Sequence, residues 1–534
     1  MHMAIDFLLV LKLLFYPVAG LILVSSLDDL FIDLCYHIRT IWRRLYTYQR
    51  HPAMQHPDLR GKGEQPFAVL IPCWQEADVI RNMLENTLRT YEYHNYHLFV
   101  GIYPNDPDSA AEVEHVARQY SRVHACPVPR DGPTDKADCL NATLQRVWEF
   151  ERENDLEFTG FVLHDAEDII HPLELKLFNH LIDRKDMIQL PVIPLERPLG
   201  NLTGGHYLDE FAENHCKELV VREALTGLVP SAGVGCAFSR RAFRKLQSRG
   251  DVFRSGSLTE DYDLALRLGA LGCSEIFVRF PQKARDGRSS LIATREYFPD
   301  TVRGVVRQKS RWLIGIVFQA WRRRKWPGSL AFRYILFRDR KGFFTAWLNM
   351  AAYLLLLGVL LYWSLSVTVF ANMSMPPLMR RGEPLEYLLW INLVLLLNRA
   401  LHSVAFCYHT YGPACAALSL PRQVWGNVLN FLAGFRAFRL YSLHLLTGRP
   451  LSWDKTAHQF PDAEELAPLR LGDMMLQQQL ITWDDLDKAL LLQRTSPLPL
   501  GRILLAQQLI DQAMLDRLLT DQTRRREQSH ADKA

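Results

Sequence analysis

Three long apolar segments constrain this chain more than any other feature of its sequence. They cover Phe7–Ser26, Phe343–Phe370 and Leu385–Tyr408, and each reaches about the 20 residues that an α-helix needs to cross a bilayer. A backbone at membrane depth has to satisfy its own hydrogen bonds, so we predict that each segment is a transmembrane helix. A cleaved signal peptide is the alternative for the first segment, but no small-residue cleavage site follows it.

Basic residues indicate that the polar block between the first and second apolar segments lies in the cytoplasm. Arg303–Lys341 contains twelve Lys and Arg residues against one acidic residue, Asp339, and leads directly into the second apolar segment. Positive charge marks the cytoplasmic end of a membrane helix, so we expect the N-terminus outside and both large soluble parts inside. The nine cysteines include no CxxC pair, which fits a reducing compartment. The net charge of +4 is too small to indicate a nucleic-acid-binding protein.

A fourth apolar stretch, Ala414–Leu446, has a different pattern. Pro421, Arg422, Arg436 and Arg439 interrupt it, and it contains no clean apolar run of about 18 residues. We interpret it as an amphipathic helix on the cytoplasmic membrane surface, with a fourth transmembrane span as the alternative.

Short apolar runs alternate with helical patterns in the soluble block after the first span. Phe67–Ile71, His97–Tyr103 and Phe161–Leu163 are apolar runs with the length of buried strands. Ala77–Thr90 and Asp138–Arg152 lie between these runs and have helical patterns. The alternation predicts an α/β domain, in which ligands bind at the carboxyl ends of the strands.

Three acidic residues follow the third predicted strand. Asp165, Glu167 and Asp168 lie in the sequence HDAED and concentrate like charges where the strand opens to a cleft. Hard oxygen ligands of this kind suit Mg²⁺ or Mn²⁺, above all when phosphates also bind the ion. Taken alone, the same residues also fit an exposed acidic turn in which Asp168 caps a helix.

Further motifs accompany these acids in a defined order along the chain. They comprise Glu76 in IPCWQE, Asp106 in ND, Lys136 in TDKADCLN, Gly233 and Gly235 in SAGVGCAFSRR, Thr259, Glu260 and Asp261 in SLTEDYDLALRL, and Gln308, Arg311 and Trp312 in QKSRW. In order and spacing, the set resembles the processive family 2 glycosyltransferases of the GT-A fold, which include the cellulose, hyaluronan and chitin synthases. The resemblance covers about Gln65–Trp326 and extends into the flanking spans.

The resemblance implies a UDP-sugar donor and a divalent cation on its diphosphate. Six residues would bind the donor: Glu76, Asp106, Lys136, Asp165, Gln308 and Arg311. The Mg²⁺ or Mn²⁺ would be held by Asp165 with Glu167 and Asp168, and the sequence leaves open which of the last two is the ligand.

The resemblance also implies how the sugar is transferred. Asp261, beside Thr259 and Glu260, would be the general base that takes a proton from the acceptor hydroxyl as it attacks the anomeric carbon. A single displacement of this kind inverts the configuration at that carbon. Three residues would contact the acceptor: Trp312, Gly233 and Gly235. A tryptophan at the membrane interface is the alternative role for Trp312.

The C-terminal part contains an internal repeat. Arg470–Gln493 and Pro499–Gln522 are separated by five residues and are identical at eleven of 24 positions. Each unit opens with Leu-Gly and contains an i, i+4 leucine pair, which is the spacing of one helix face. Without further information, the repeat predicts a small helical bundle whose leucines form its core.

The two units resemble the MshEN domain, which is the N-terminal cyclic di-GMP-binding domain of type II secretion and pilus ATPases. A duplicated motif suits a ligand with two equivalent halves, and a glycine at a helix start lets backbone N–H groups approach a phosphate. The residues implied in cyclic di-GMP binding are Arg470, Leu471, Gly472, Leu486, Leu490, Gln493, Leu500, Gly501, Leu515, Leu519 and Gln522. The sequence contains no GxxxxGK[ST] motif, so the nucleotide-binding loop of those ATPases is missing here.

A synthase-like core joined to this C-terminal module resembles the bacteriophage adsorption protein B family of inner-membrane glycosyltransferases. We therefore expect an α/β GT-A domain between transmembrane helices and a small all-α regulatory domain. The expected regions are a membrane helix and linker (1–50), the GT-A domain (65–326), two membrane helices (343–410), an interfacial helix and gating segment (412–460), and the cyclic di-GMP-binding domain (464–526).

These regions predict a function in the inner membrane of a Gram-negative bacterium. The protein would polymerise a sugar from a UDP-sugar into a secreted polysaccharide, pass it to an envelope export partner and be activated by cyclic di-GMP. A catalytically silent scaffold or phage-receptor component that binds cyclic di-GMP is the alternative. The intact set of Asp165, Asp261 and Gln308–Trp312 favours the enzyme.

Overall fold

The computed structural model contains an α/β domain, membrane-length helices and a small helical C-terminal part. It describes the 534-residue chain from residue 2 to residue 531, except residues 52, 60, 284–288, 325–327, 370–375, 378, 450, 452–457, 462–470, 479, 483–484, 487, 490–491 and 494–497. Arg470, Leu490 and the middle of the expected gating segment therefore lie outside the described residues.

Seven strands form the central sheet of the α/β domain. They are β1 (Phe67–Pro72), β2 (Tyr96–Ile102), β3 (Val123–Pro127), β4 (Gly160–Leu163), β5 (Met187–Gln189), β7 (Cys236–Ser239) and β8 (Glu275–Phe277). Two short pairs lie outside this sheet, β6 (Val192–Pro194) with β11 (Thr294–Glu296) and β9 (Pro281–Lys283) with β10 (Ser289–Leu291). The strand order is β3-β2-β1-β4-β7-β5-β8, and β7 runs antiparallel to both neighbours in an otherwise parallel sheet.

Helices cover the sheet, form the membrane-length segments and build the C-terminal part. Those with fully described backbones are α1 (His2–Trp42), α2 (Tyr48–Arg50), α3 (Ile80–Thr90), α4 (Pro107–Gln119), α5 (Lys136–Asn154), α6 (Glu174–Leu181), α7 (Leu202–Glu213), α8 (Leu219–Thr226), α9 (Arg240–Gln247), α10 (Glu260–Ala270), α11 (Val302–Leu313), α12 (Ala320–Arg324), α13 (Leu330–Thr368), α14 (Pro384–Tyr411), α15 (Pro413–Ala417), α16 (Ser419–Thr447), α17 (Leu471–Gln477), α18 (Leu500–Ala506) and α19 (Gln512–Ala531). Together with the sheet, they confirm the predicted α/β class and the helical character of the C-terminal part.

Strand β1 is covered by apolar side chains on both faces. Phe67 and Val69 belong to the apolar core on one face, Ala68 and Leu70 belong to the core on the other, and all four are fully buried. Alternate side chains of a strand point to opposite faces, so a doubly covered strand requires a continuous apolar run in the sequence. The register pairs Leu70 with Leu163 of β4, and the two strands therefore end at the same edge of the sheet.

Three helical segments are long and apolar enough to cross a membrane. They are Asp6–Arg50, Leu330–Thr368 and Pro384–Tyr411, and each overlaps one of the three spans predicted from the sequence. Helix α16 is not among them in the described part of the chain, and it packs against α7, α11 and α13. Its placement at the membrane surface stays a prediction.

Ion pairs connect the first membrane-length helix to the α/β domain. Lys217 donates from Nζ to Asp33 Oδ1 at 2.6 Å, and both side chains are almost completely buried. Arg338 of α13 contacts Asp28 and donates to Glu218 Oε2 at 2.9 Å. Because each of these charges has a partner of opposite sign, the helices and the domain can bury them together at their contact.

The two C-terminal repeat units pack against each other reciprocally. A Cβ added to Gly472 would lie 2.8 Å from Leu486 Cδ1 of its own unit and 3.4 Å from Leu500 Cδ2 of the other. A Cβ added to Gly501 would lie 2.6 Å from Leu515 Cδ1 and 3.2 Å from Leu471 Cδ2. The glycines thus leave room for core leucines, and the predicted approach of a phosphate to the same glycines stays a prediction.

A buried arginine joins helix α16 to helix α7. Arg422 donates from Nε to Asp209 Oδ2 at 2.6 Å and from Nη2 to Asp209 Oδ1 at 3.0 Å. Ser419 Oγ donates to the same carboxylate at 2.6 Å. Gly205 permits this approach, since a Cβ there would lie 2.8 Å from Arg422 Cδ.

We predict that Arg422→Met lowers the free energy of unfolding by about 3–5 kcal/mol, because it leaves the Asp209 carboxylate buried without its cation. Arg439→Met is the matched control, since Arg439 lies on the same helix but is exposed, and it should change stability by less than about 0.5 kcal/mol. Denaturant unfolding of both variants in the same detergent measures the difference. Equal stability of the two variants would contradict the assignment of a structural role to the pair.

Candidate active site

Acidic residues collect at the edge of the sheet where β1, β2 and β4 end. Glu76 follows β1, Asp106 follows β2, and Asp165 and Glu167 follow β4. The paired registers of β1 with β2 and of β1 with β4 bring these three chain segments side by side. The structure therefore brings together residues that the sequence analysis assigned to the donor and to the metal.

Asp168 holds the loop that contains Asp165 and Glu167, here called the acidic loop, through a hydrogen bond to its backbone. Its Oδ2 atom accepts from the Asp165 backbone N–H at 3.0 Å and lies 2.7 Å from Nδ1 of His164. The other ring nitrogen of His164 lies 2.7 Å from Glu174 Oε1. Burial opposes the charged form of His164, but Glu174 and Asp168 outweigh it and raise its pKa to about 10. The raised pKa and the two 2.7 Å distances favour an imidazolium between the two carboxylates. The predicted metal-ligand role of Asp168 stays a prediction.

Lys136 provides the cation nearest to Asp165. At the start of α5, its Nζ lies 2.5 Å from Asp165 Oδ1 and 3.8 Å from Glu260 Oε1. Burial opposes the charge on Lys136, but Asp165, Glu260 and Asp261 outweigh burial and raise its pKa. The lysine thus stays charged among three carboxylates. Asp135 caps its helix by accepting from the Asp138 backbone N–H at 2.8 Å.

Asp261 lies in the first turn of α10, directly beside Gly233. One carboxylate oxygen, Oδ1, accepts from the Tyr262 backbone N–H at 2.7 Å. A Cβ added to Gly233 would lie 2.8 Å from the other oxygen, Oδ2, and Gly233 has a φ of 78°. The absence of a side chain at Gly233 therefore leaves room for the carboxylate. Burial raises the pKa of Asp261, and the charges of Lys136 and Arg311 act in the opposite direction.

Glu76 and Asp106 have different surroundings, although both were predicted to bind the donor. Asp106 caps α4 by accepting from the Ser109 backbone N–H, and it also accepts from the Gln75 N–H at 2.5 Å. The Asp106 carboxylate is therefore already hydrogen-bonded to nearby backbone N–H groups. Glu76 instead presents Oε1 to His458 Nδ1 at 2.9 Å. The donor-binding roles of both residues stay predictions.

His458 is a residue of this site that the sequence analysis missed. Its Nδ1 atom lies 2.9 Å from Glu76 Oε1 and 3.2 Å from Glu167 Oε1. Burial opposes the charged form of His458, but Glu167 and Glu76 outweigh burial and raise its pKa. The signal that could have found it is a histidine within the expected gating segment, in the sequence WDKTAH.

Helix α11 places the QKSRW motif at one side of the site. Gln308 accepts through Oε1 from the Tyr207 hydroxyl at 2.7 Å. Trp312 packs with an aromatic cluster that also contains Tyr207, Phe211 and Phe298. Among the described residues, Nε of Arg311 is buried without a hydrogen-bond partner. A buried guanidinium atom of this kind is available to an anionic ligand.

Thr259 and Gly235 each take part in a close contact between a glycine backbone and a threonine side chain. A Cβ on Gly315 would come within 2.2 Å of Thr259 Oγ1, and a Cβ on Gly235 would come within 2.2 Å of Thr294 Oγ1. Both contacts fix the loops that lead into the site. The predicted catalytic role of Thr259 and acceptor role of Gly235 stay predictions.

The acidic edge has the donor set of a divalent cation site. One ligand atom each from Glu76, Glu167 and His458 lies within 4.8 Å of the other two. Burial and the charges of Asp168, Glu167 and Asp165 also raise the pKa of Glu296, which indicates that negative charge is crowded at this edge. Carboxylate oxygens at such a density fit Mg²⁺ or Mn²⁺.

Comparison with known proteins identifies the class of this domain. Residues 160–366 match the family model described as glycosyl transferase family group 2. Over 503 residues, the chain is 46% identical to the bacteriophage adsorption protein B of Escherichia coli (strain K12) and to the bacteriophage N4 adsorption protein B of Escherichia coli O157:H7. These matches cover 90% of this chain and 66% of each relative, so the chain spans just under two thirds of the length of these curated relatives.

Two solved structures have lower similarity to this chain. A mannosyltransferase from Pyrobaculum calidifontis, solved with GDP-Man and Mn²⁺, is 16% identical and covers 81% of this chain and 99% of its own, with a TM-score of 0.47. Residues 1–349 of TarS from S. aureus are 11% identical and cover 75% of this chain and 98% of their own, with a TM-score of 0.31.

The sequence match places a domain of glycosyl transferase family group 2 at residues 160–366 of this chain. The chain is related, at 46% identity, to bacteriophage adsorption protein B.

We predict that Gly233→Ala lowers turnover at least ~10-fold, because its Cβ would displace the carboxylate of Asp261 and small displacements of reacting groups are costly. Gly272→Ala is the matched control, since Gly272 has a similar φ of 67° with nothing within 4 Å of an added Cβ. Both variants should lose about 1–2 kcal/mol of stability from backbone strain. Release of nucleoside diphosphate from a sugar donor measures turnover, and an equal loss in both variants would contradict the contact.

Proposed function

We propose that this protein transfers a sugar from a UDP-sugar to a hydroxyl group of a growing polysaccharide, with inversion at the anomeric carbon. The observation that carries the proposal is the environment of Asp261. Its carboxylate belongs to a partly buried charged group with Glu260, Lys136 and Asp165 at the carboxyl edge of the sheet. Trp312 of helix α11 contributes to an aromatic cluster. This arrangement supports proton abstraction beside a flat apolar surface for a sugar ring.

Asp261 is suited to act as the general base. A pKa raised by burial makes its carboxylate a stronger proton acceptor than an exposed aspartate. In the proposed step, the acceptor oxygen forms a bond to the anomeric carbon while its proton passes to Asp261. The bond from that carbon to the diphosphate oxygen breaks on the opposite face, and UDP departs with the electron pair.

Cationic side chains are suited to bind the departing diphosphate. Arg311 has a buried Nε that is available to a phosphate oxygen. Lys136 carries a positive charge directly beside Asp165. A divalent cation held at the acidic edge, where Asp165, Glu167 and Asp168 are the ligands predicted from the sequence, would supply further positive charge to the leaving group. These groups favour the charge distribution of the transition state over that of the bound donor.

The membrane-length helices support a secreted product. We infer that the transferase and C-terminal parts lie in the cytoplasm of a Gram-negative cell and that the polysaccharide crosses the inner membrane to an envelope export partner. The basic run Arg303–Lys341 before the second span supports this orientation. Three segments of membrane-spanning length and the packing of α16 against α11 support a path from the site toward the bilayer.

We predict that Asp261→Asn lowers turnover at least ~10²-fold, because the amide cannot accept the proton of the acceptor hydroxyl. UDP-sugar binding should stay nearly unchanged, since the substitution keeps the shape of the side chain. UDP release by purified protein in detergent, measured across a panel of UDP-sugars, gives the rate, and equilibrium binding of UDP gives the affinity.

Asp263→Asn is the control for this variant. Asp263 is a buried aspartate on the same helix, and its partner is Arg254 at 3.5 Å. This substitution should leave turnover within a few-fold of the wild-type value. Similar turnover in the two variants would remove Asp261 from the mechanism, and no UDP release from any donor would support the silent scaffold or receptor component instead.

We further propose that the C-terminal repeat binds cyclic di-GMP and that binding activates the transferase. The repeat has two equivalent units that pack reciprocally through Gly472 and Gly501, which suits a ligand with two equivalent halves. Leu486 and Leu515 are buried in the shared core, while Leu519 is exposed and Gln493 and Gln522 are partly exposed. A ligand that binds one state of this module better than another can shift the activity of the protein.

We predict that Arg470→Ala weakens cyclic di-GMP binding at least ~10-fold, since a charge-assisted bond to a phosphate contributes about 1.5–3 kcal/mol. Arg524→Ala, which removes an exposed arginine of α19, should leave the affinity unchanged. Titration calorimetry on full-length protein measures both. The absence of binding to wild-type protein would reject the proposed activator.

A further inference from the structure

Two buried thiols lie in contact where helices α14, α15 and α16 meet. Cys407 of α14 donates its S–H to Sγ of Cys415 in α15, and the two sulfur atoms are 3.4 Å apart. A disulfide bond joins two sulfur atoms at about 2.0 Å, so these sulfurs have to approach each other by only about 1.4 Å to form one. The fold therefore holds the two thiols next to each other before any reaction takes place.

An arginine provides positive charge beside this thiol pair. Arg422 of α16 donates from Nη1 to Cys415 Sγ and from Nη2 to Cys407 Sγ, each at 3.4 Å. The Asp209 carboxylate accepts from Nε and Nη2 of the same guanidinium, whereas Nη1 is directed at the sulfur of Cys415. A neighbouring arginine stabilises a thiolate, which is the reactive form of cysteine.

The directions of these hydrogen bonds distinguish the two cysteines. The sulfur of Cys415 accepts from the S–H of Cys407 and from Nη1 of Arg422. The hydrogen bond from Cys407 and the charge of Arg422 lower the pKa of the Cys415 thiol, although burial acts in the opposite direction. Cys415 is therefore the sulfur suited to react first, and Cys407 is the thiol suited to react second.

The surroundings of Cys415 suit a small oxidant. Pro413, Ala414 and Ala417 of the same short helix are exposed, so the buried sulfur of Cys415 lies close beneath the protein surface. The predicted orientation places this end of α14 on the cytoplasmic side of the membrane. Thiol reductants of that compartment keep cysteines reduced and can also reverse a disulfide bond after it has formed.

We propose that Cys407 and Cys415 form a reversible disulfide bond when the protein reacts with hydrogen peroxide. The Cys415 sulfur first attacks a peroxide oxygen, the O–O bond breaks, and a sulfenic acid and one water form. The Cys407 sulfur then attacks the sulfur of the sulfenic acid, the S–O bond breaks, and a second water leaves. Two electrons pass from the sulfurs to the peroxide, and each water carries away one thiol proton. The modification does not depend on the proposed transferase activity.

Peptide mass spectrometry of full-length protein in detergent tests the proposal. Both cysteines lie in one tryptic peptide, Ala400–Arg422, so their disulfide lowers the mass of that peptide by two hydrogen atoms and prevents its alkylation. Wild-type protein treated with hydrogen peroxide should yield this peptide, and dithiothreitol should restore both thiols. A fully alkylated Ala400–Arg422 peptide after peroxide treatment, or disulfides of Cys407 and Cys415 with other cysteines instead, would overturn the proposal.

Substitutions test the order of the two steps. In Cys407→Ala, the reaction should stop at a sulfenic acid on Cys415, which dimedone traps as a stable adduct. Cys273→Ser is the matched control, because Cys273 also lies beside a cation, Lys245 at 3.8 Å, but in the α/β domain. This control should form the same disulfide at the wild-type rate. A Cys415 thiol that stays unmodified in Cys407→Ala, or loss of the disulfide in Cys273→Ser, would contradict the proposed reaction.

Discussion

The acidic edge of the sheet is the constraint on which the rest of the site depends. Strand ends place Glu76, Asp165 and Glu167 close together, and the burial of Glu76 and Glu167 strengthens their mutual repulsion. Such a group can persist only where cations are fixed beside it. Much of the surrounding structure consists of the elements that bring those cations to the edge.

The cations come from parts of the chain that are distant in sequence. Lys136 stands at the start of α5, and His458 lies 382 positions after Glu76. Lys136 belongs to the α/β domain, whereas His458 follows the last membrane-length helix in the sequence. The complete charge arrangement therefore exists only after the membrane helices and the sheet domain have assembled.

The sequence predicts the elements well where a local pattern determines them. The apolar runs Phe67–Ile71 and Phe161–Leu163 agree with β1 and β4 to within a residue or two, because a doubly covered strand has to be apolar throughout. The three spans are predicted for a similar reason, since membrane depth selects composition directly. Strand β7 was not predicted, because its antiparallel direction depends on partners in the sheet and leaves no local signal.

The sequence predicts the site less completely than the secondary structure, because the pairing of charges in the site depends on the tertiary structure. The sequence identifies Asp168 as an acid next to a strand end, but only the fold places His164 between Asp168 and Glu174. His458 was missed because an isolated histidine after a tryptophan-containing segment has no periodic pattern. Asp261 and Lys136 were assigned through their motifs and their roles stay predictions, and the structure adds that they belong to one electrostatic group.

The reciprocal packing of the C-terminal repeat has a consequence for its unfolding. Each unit supplies a leucine that lies against the glycine of the other, so neither unit has a complete core by itself. A helical hairpin that borrows part of its core from its neighbour gains stability mainly from the contact between them, so the two units should unfold together rather than one after the other.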